Sequence, residues 1–348
     1  MKLSNRQIIG LNETVTATMK AESIPGLVAG ISQHGELLLA RGYGLADVER
    51  GIPVDPTMIF QIGSIGKSFV SAAIMMLVEN NELSLDDSIC DYFRDAPENW
   101  RGIKIKHLLS HTSGLPEYIG DSIRTDSSVP LLATRDYTEN EIVSTIMSLP
   151  VEFEPGERYS YINTNYMLLG VIIERITGRY YFDFLRDRIF KPLGMDSVRQ
   201  VLHNTLIRNK PCGYELRNGR LENAGFVSDT FNSTADGTLY CNVSDLAKWD
   251  GALYKGGLLK RSLLDTIFTV FKLNDGKPNK GGYGFGWFIK ESGGHRLIEH
   301  TGNWNGFTSV MSRYVDDGLS VIILCNLGLD VSEKLAVLAH SVSDLIIH

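Results

Sequence analysis

The sequence predicts a mixed α/β protein: one α/β domain built from both ends of the chain, with a helical domain inserted between them. Three observations predict it. Strand-like runs punctuated by turn signals lie near the two termini, helical periodicities dominate from about Leu83 to Asn232, and a length of 348 residues accommodates about two domains. The expected division assigns 1–82 and 233–348 to the discontinuous α/β domain and 83–232 to the mainly helical one.

Taken in order, Ser4 to Lys20 reads as a leading helix, and Pro25-Gly26 separates it from the apolar run Leu27 to Ile31. That run, the turn pair His34-Gly35 and Leu37 to Ala40 together make the pattern of an antiparallel hairpin. From Ser64 to Glu79, Ile65, Phe69, Ala72, Ala73, Met76 and Leu77 recur at helical spacing, while Val70 and Ile74 add apolar residues to the other faces. A helix that is apolar all round is a buried one. Helical patterns follow over Lys104 to Ser110, Glu139 to Ser148, Tyr166 to Ile176 and Phe182 to Phe190, with Gly178 and Pro192 as stops. Another helix starts near Ser244 as N-cap, with Asp245 in its first turn. Strand patterns return at Tyr283 to Ile289, Leu297 to Glu299, Phe307 to Tyr314 and Leu319 to Leu324, the last two joined by Asp316-Asp317-Gly318. Val331 to Ile347 closes the chain as an amphipathic helix.

Composition narrows the function. Hydrophobic residues make up 43% of the chain, enough for a real core, and the net charge of −7 with no long Lys/Arg run argues against nucleic-acid binding. The longest apolar stretches, Ile74 to Val78 and Leu319 to Cys325, fall well short of the roughly 20 residues that cross a bilayer. Near the amino terminus Ile8-Ile9-Gly10-Leu11 is too short for a secretory core and meets Asn12-Glu13, so a cytoplasmic location is expected unless a leader has been removed. Cys90, Cys212, Cys241 and Cys325 lie far apart, without a C-x-x-C pair or a histidine at zinc-finger spacing. Incidental thiols in a reducing compartment are expected, and no metal or organic cofactor.

Candidate chemistry concentrates in three short motifs. Gly63-Ser64-Ile65-Gly66-Lys67-Ser68 fails as a phosphate loop because the required first glycine is Gln61. As Ser-x-x-Lys it places Ser64 at the start of the buried helix, among unpaired N–H groups at the positive end of its dipole. Lys67 then stands three residues on along the same face. Apolar neighbours disfavour the charged form of Lys67 and bring a proton-accepting amine within reach. Tyr-x-Asn occurs at Tyr161-Ile162-Asn163 and at Tyr240-Cys241-Asn242, and the two are told apart only by context. Such a tyrosine can relay a proton, and such an asparagine can bind an amide carbonyl. His300-Thr301-Gly302 follows a strand pattern and precedes Asn303. Its glycine allows close backbone approach, and the next N–H can serve as an oxyanion donor. His111-Thr112-Ser113-Gly114 is a near miss, and His111, like His34, His107 and His203, reads as a structural histidine.

In order, Ser64-Ile-Gly-Lys67, Tyr161-Ile-Asn163 and His300-Thr-Gly302 resemble the three active-site motifs of the penicillin-recognising serine hydrolases. That superfamily contains class C beta-lactamases, D-alanyl-D-alanine carboxypeptidases, D-aminopeptidases and related esterases. Supporting stretches are similar too: Ile105 to Pro116, Pro155-Gly-Glu-Arg158, Asn165 to Gly170, Pro192-Leu-Gly-Met195 and Tyr283-Gly-Phe-Gly-Trp287. The resemblance runs from about Ile24 to about Asn326. It implies a beta-lactamase/transpeptidase-like fold, an antiparallel sheet flanked by helices with an inserted helical domain.

The resemblance also implies that Ser64 attacks a carbonyl to form an acyl-enzyme while Lys67 and Tyr161 share proton transfer. The N–H groups of Ser64 and Asn303 form the oxyanion hole, Asn163 orients the substrate amide, Thr301 borders the pocket, and no cofactor takes part. Relatives that handle penicillins usually carry lysine first in the third motif, whereas here His300 is expected to be largely neutral near pH 7. Thr238 also stands where relatives often have glycine. The expected function is hydrolysis of small esters or amides, including D-amino-acid peptides. A true beta-lactamase and a non-catalytic module that binds penicillin or cell-wall peptides are the alternatives.

Overall fold

Both ends of the chain meet in one seven-stranded antiparallel sheet. The computed structural model describes residues 2–120, 131–328 and 331–348. Its main sheet contains β1 (Gly26–Gln33), β2 (Glu36–Asp47), β3 (Ile52–Pro53), β4 (Phe288–Ser292), β5 (His295–Trp304), β6 (Phe307–Tyr314) and β7 (Leu319–Cys325), in the order β4-β5-β6-β7-β1-β2-β3. The amino-terminal hairpin joins the carboxy-terminal strands through β1 and β7, with Leu27 opposite Cys325 and Gln33 opposite Leu319. The main helices are α1 (Asn5–Ala21), α2 (Lys67–Glu79), α3 (Glu139–Ser148), α4 (Asn163–Thr177), α5 (Val243–Lys255) and α6 (Ser332–Ile347).

The side-chain alternation of a strand explains how both faces of the sheet are covered. Leu27, Ala29 and Ile31 of β1 pack with Val321 and Ile323 of β7 against Leu11 and Val15 of α1 and Leu335 and Leu338 of α6. Val28, Ile322 and Leu324 face the opposite way, into a larger core with Phe69 and Ile74 of α2 and Leu246 of α5. That core continues to Ile142 of α3 and Leu168 of α4. Every residue of α2 from Lys67 to Leu77 is buried, as its unbroken apolar pattern requires.

Several boundaries differ from expectation for local reasons. Ser64 lies on a 3₁₀ turn, Gly63–Gly66, that runs straight into α2. Asn242, not Ser244, caps α5, its side chain accepting the Asp245 N–H at 2.9 Å. Tyr283 to Ile289 is not a continuous strand: Gly282 and Gly286 take positive φ, and regular pairing begins only at Phe288. The predicted strand Leu297 to Glu299 is part of the longer β5, which carries His300, Thr301 and Gly302 in register with Met311, Val310 and Ser309. The helical pattern over Phe182 to Phe190 becomes a short helix, Tyr181–Leu185, continued by a π turn. The middle of the chain also holds a small hairpin, Tyr214–Arg217 with Arg220–Asn223.

Candidate active site

Phe60-Gln61 pairs with Tyr240-Cys241, which fixes the segment entering α2 against the one following Gly237. Gly63 then turns the chain at φ +51°, and a Cβ there would lie 2.5 Å from the amide nitrogen of Asn303. Only glycine lets the turn and β5 approach so closely. The backbone amides assigned to an oxyanion hole, those of Ser64 and Asn303, are therefore brought to one turn.

Ser64 is half-buried, whereas Lys67 is wholly buried. The Lys67 Nζ donates to Ser64 Oγ at 2.9 Å, to Asn163 Oδ1 at 2.9 Å and to the backbone carbonyl of Asp236. Three acceptors match the three donors of an ammonium. Burial nevertheless lowers this group from its ordinary value to about 8, against the opposing pull of the Asp236 and Glu117 carboxylates. When the amine is neutral, two N–H groups suffice for Asn163 and Asp236, and its lone pair is free to face the Ser64 hydroxyl.

Tyr161 completes the cluster from the loop that enters α4. Its ring centroid lies 5.1 Å from Lys67 Nζ, and its hydroxyl, buried beside Ser64, has no hydrogen-bond partner of normal geometry among the described residues. Burial holds the phenol well above its ordinary pKa, with the nearby Ser64 hydroxyl acting in the opposite sense, so the group stays protonated at neutral pH. Asn163, the first residue of α4, directs its side chain to Lys67, while its backbone N–H donates to Glu117 Oε2 at 2.8 Å.

Two acidic groups that the sequence motifs do not single out lie beside Lys67. Glu117 follows directly on the Ile105 to Pro116 stretch, and Asp236 precedes Gly237, so proximity to those stretches was the available signal. Glu117 is half-buried and also accepts from the Tyr118 N–H at 2.9 Å. Burial lifts its carboxyl to about 7, although both N–H groups and Lys67 favour the charged form. Asp236 is buried; Oδ2 accepts from the Tyr118 hydroxyl at 3.2 Å and Oδ1 has no partner among the described residues.

The third motif lies on β5. His300 is buried, with Nδ1 2.6 Å from the Thr301 carbonyl and Nε2 2.9 Å from the Tyr283 hydroxyl. A ring nitrogen that close to a carbonyl must donate, and in the neutral imidazole that burial favours the other nitrogen, Nε2, accepts from Tyr283. Burial, reinforced by Lys67, lowers it to about 3. Tyr283 comes from the glycine-rich stretch before β4 and was missed as a side chain of the site. Thr301 is half-exposed, and Gly302 is packed so tightly that a Cβ would meet the Ile62 carbonyl. The Asn303 side chain turns towards Thr308 at 3.4 Å. Thr238, where relatives often have glycine, closes its own turn by donating to the Thr234 carbonyl at 2.8 Å.

The second Tyr-x-Asn has structural work instead: Tyr240 pairs with Gln61, and Asn242 caps α5. Among the described residues no group of three or more His, Cys, Asp or Glu side chains is placed to hold a metal ion, and no helix is long and apolar enough to cross a membrane.

Comparison with known proteins places this geometry in a family. The Beta-lactamase family model matches residues 11–340. Penicillin-binding protein 4* of Bacillus subtilis strain 168 is 31% identical over 321 residues, covering 88% of this chain and 69% of that protein. Protein flp of Staphylococcus aureus strain MW2 is 27% identical over 338 residues, covering 96% and 66%. The chain thus spans about two thirds of the length of these relatives. Among solved structures, the octameric penicillin-binding protein homologue from Pyrococcus abyssi superposes with a TM-score of 0.83 at 26% identity, covering 98% of this chain and 77% of that one. The D-amino acid amidase from Ochrobactrum anthropi SV3, in complex with L-phenylalanine amide, gives 0.80 at 26% identity, covering 97% and 98%. With its antiparallel sheet and flanking helices, and a match that runs nearly end to end, the chain belongs to the beta-lactamase family of serine hydrolases.

Proposed function

We propose that the protein hydrolyses small esters or amides, amides and peptides of D-amino acids among them, through an acyl-enzyme on Ser64. The observation that carries this reading is the fully buried Lys67 amine 2.9 Å from the half-buried Ser64 hydroxyl. In its neutral form Lys67 takes the Ser64 proton as Oγ bonds to the substrate carbonyl carbon, and the carbonyl electron pair moves onto oxygen. The N–H groups of Ser64 and Asn303 hold that oxyanion. Collapse re-forms the carbonyl and breaks the bond to the leaving group, which takes a proton from the Tyr161 phenol; the proton gained by Lys67 restores the phenol. Water then attacks the acyl carbon, its proton passing through the Tyr161 hydroxyl to neutral Lys67; collapse of that intermediate breaks the bond to Ser64 Oγ, which takes the proton back from Lys67, and the free acid leaves.

The choice of substrate rests on charge. His300 is neutral with both ring nitrogens occupied, so it offers no cation to a penicillin carboxylate, and Glu117 and Asp236 add negative charge nearby. A half-buried carboxylate next to Asn163 suits a substrate whose scissile carbonyl lies beside a free ammonium, as in an amino-acid amide. The likeness to D-amino acid amidase supports that reading. Beta-lactam turnover is the second reading, favoured by the family alone.

The test is a panel of p-nitrophenyl esters, D- and L-amino-acid amides and a chromogenic cephalosporin, run on the wild type and on Ser64→Ala. Loss of all hydrolysis in the variant, with a phosphonate adduct on Ser64 in the wild type, is expected. Activity that survives the substitution, or labelling of another serine, overturns the assignment.

A further inference from the structure

We infer that His111 is a positioning residue for Tyr161, holding the loop that presents the phenol to Ser64. His111 is fully buried and adopts φ +56°, a left-handed conformation that a non-glycine residue keeps only where its surroundings enforce it. It grips the tyrosine loop from both sides. Its backbone carbonyl accepts the Ser160 N–H at 2.9 Å, and its ring Nδ1 faces the Ile162 N–H at 3.4 Å. The Asn165 side chain donates to the same Nδ1 at 3.1 Å. Because Nδ1 meets two N–H donors it carries the lone pair, which leaves the proton on Nε2.

The imidazole also fills the space behind the phenol. Its centroid is 4.2 Å from that of Tyr161, with the planes tilted by 33°, while Tyr166 lies 5.1 Å away and Tyr283 4.9 Å. Tyr283 in turn binds His300, so one ring contacts the tyrosine of the second motif and the tyrosine that orients the third. Burial and the neighbouring Lys67 keep His111 far below the ordinary histidine range, so it adds no positive charge beside the amine. The Tyr161 hydroxyl lacks a partner of its own among the described residues. Ring contact and the two backbone bonds from His111 are therefore means by which the protein can hold the phenol at reacting distance. Among the described residues His111 makes no hydrogen bond to Ser64 or Lys67; it acts through Tyr161.

This inference rests on the proposed role of Tyr161, and a double-mutant cycle separates the two claims. His111→Phe keeps a ring but removes the acceptor; His111→Asn keeps an acceptor near the Nδ1 position and removes the ring. Each is measured alone and combined with Tyr161→Phe, using D-phenylalanine amide, whose leaving amine must gain a proton, and KM and kcat are read separately. Tyr161→Phe is expected to lower kcat by about a hundredfold or more. His111→Phe is expected to lower it by at least about tenfold, with KM within about twofold, as displacement of a proton donor predicts. In the Tyr161→Phe background the same change should cost less than about twofold. Equal losses in both backgrounds would overturn the positioning role while leaving the hydrolase reading intact. An unchanged kcat in Tyr161→Phe would overturn the proton-donor role and this inference with it. If His111→Phe does not fold, the cycle with His111→Asn is decided by the same comparison.

Discussion

If Lys67 accepts the Ser64 proton, only its neutral form begins acylation, and kcat/KM for an uncharged ester must follow the neutral fraction. Burial lowers the amine to about 8. Roughly one tenth is then neutral at pH 7, about half at pH 8 and about nine tenths at pH 9. The rate constant should therefore climb about tenfold over those two pH units and flatten, whereas an ordinary lysine would give about a hundredfold with no plateau. Tyr161 adds no inflection in this range, because its phenol is held above its ordinary value. Asp236→Asn supplies the perturbation. The Asp236 carboxylate favours the ammonium, so removing its charge leaves burial less opposed and moves the inflection to lower pH. The backbone carbonyl that accepts from Lys67 stays in place. Initial rates with p-nitrophenyl acetate across the neutral and alkaline range, corrected for spontaneous hydrolysis, test both parts. A hundredfold rise without a plateau, or an inflection that moves upward in Asp236→Asn, would refute the assignment of Lys67 as base.

Two further outcomes are expected from the charges around the crevice. Glu117→Gln should lower kcat/KM for D-phenylalanine amide by about ten- to a hundredfold, the worth of a charge-assisted hydrogen bond, and leave p-nitrophenyl acetate within about threefold. In the wild type the amide should also show a limb near 7 that the ester lacks, rising as the Glu117 carboxyl ionises and falling again near pH 8 as the substrate's own ammonium loses its proton; equal loss on both substrates would reduce Glu117 to a structural role. His300→Lys should raise kcat/KM for a chromogenic cephalosporin about tenfold by offering its carboxylate a cation, and should lower the Lys67 inflection through like-charge repulsion. No gain would mean that the shape of the crevice, not its charge, limits that substrate.

How far the sequence could be read depended on the range of the interaction concerned. Local signals served well where a single element carried them: Ser4 caps α1 with Gln7, and α2 is as buried as its apolar periodicity demands. Ser64 and Lys67 were legible because their spacing on one turn determines their contact. Tyr161 is told from Tyr240 only by its context, and its role required the resemblance. Boundaries failed where longer-range pairing overrode local pattern. β5 extends through Gly302 because every residue from Leu297 to Trp304 has a partner on β6. Conversely, the glycines around Tyr283 break a strand that its aromatic neighbours favour. Glu117, Asp236 and Tyr283 stayed hidden because their meaning comes from what the fold sets beside them. A lone acidic residue after Pro116 is, in sequence, a surface residue by default.

The same point limits what one motif position can say about substrate. Lysine replaced by histidine at position 300 removes a positive charge, and neutrality is all the sequence can infer from it. The structure adds that the imidazole is locked between Thr301 and Tyr283, so even a substrate carboxylate would find no free donor on the ring. It adds too that Glu117 and Asp236 lie close enough to Lys67 to raise its proton affinity. If Lys67 is the base, the site therefore combines one cation that must lose its proton to act with two acidic groups that resist that loss. An anionic substrate would add a third negative charge and make Lys67 harder still to deprotonate. A substrate ammonium would do the reverse, compensating Glu117 and easing the amine towards its neutral, reactive form. On the proposed mechanism, selectivity for cationic or neutral acyl groups is expected to arise from the acid–base step itself, even before any contact is counted that favours one side chain over another.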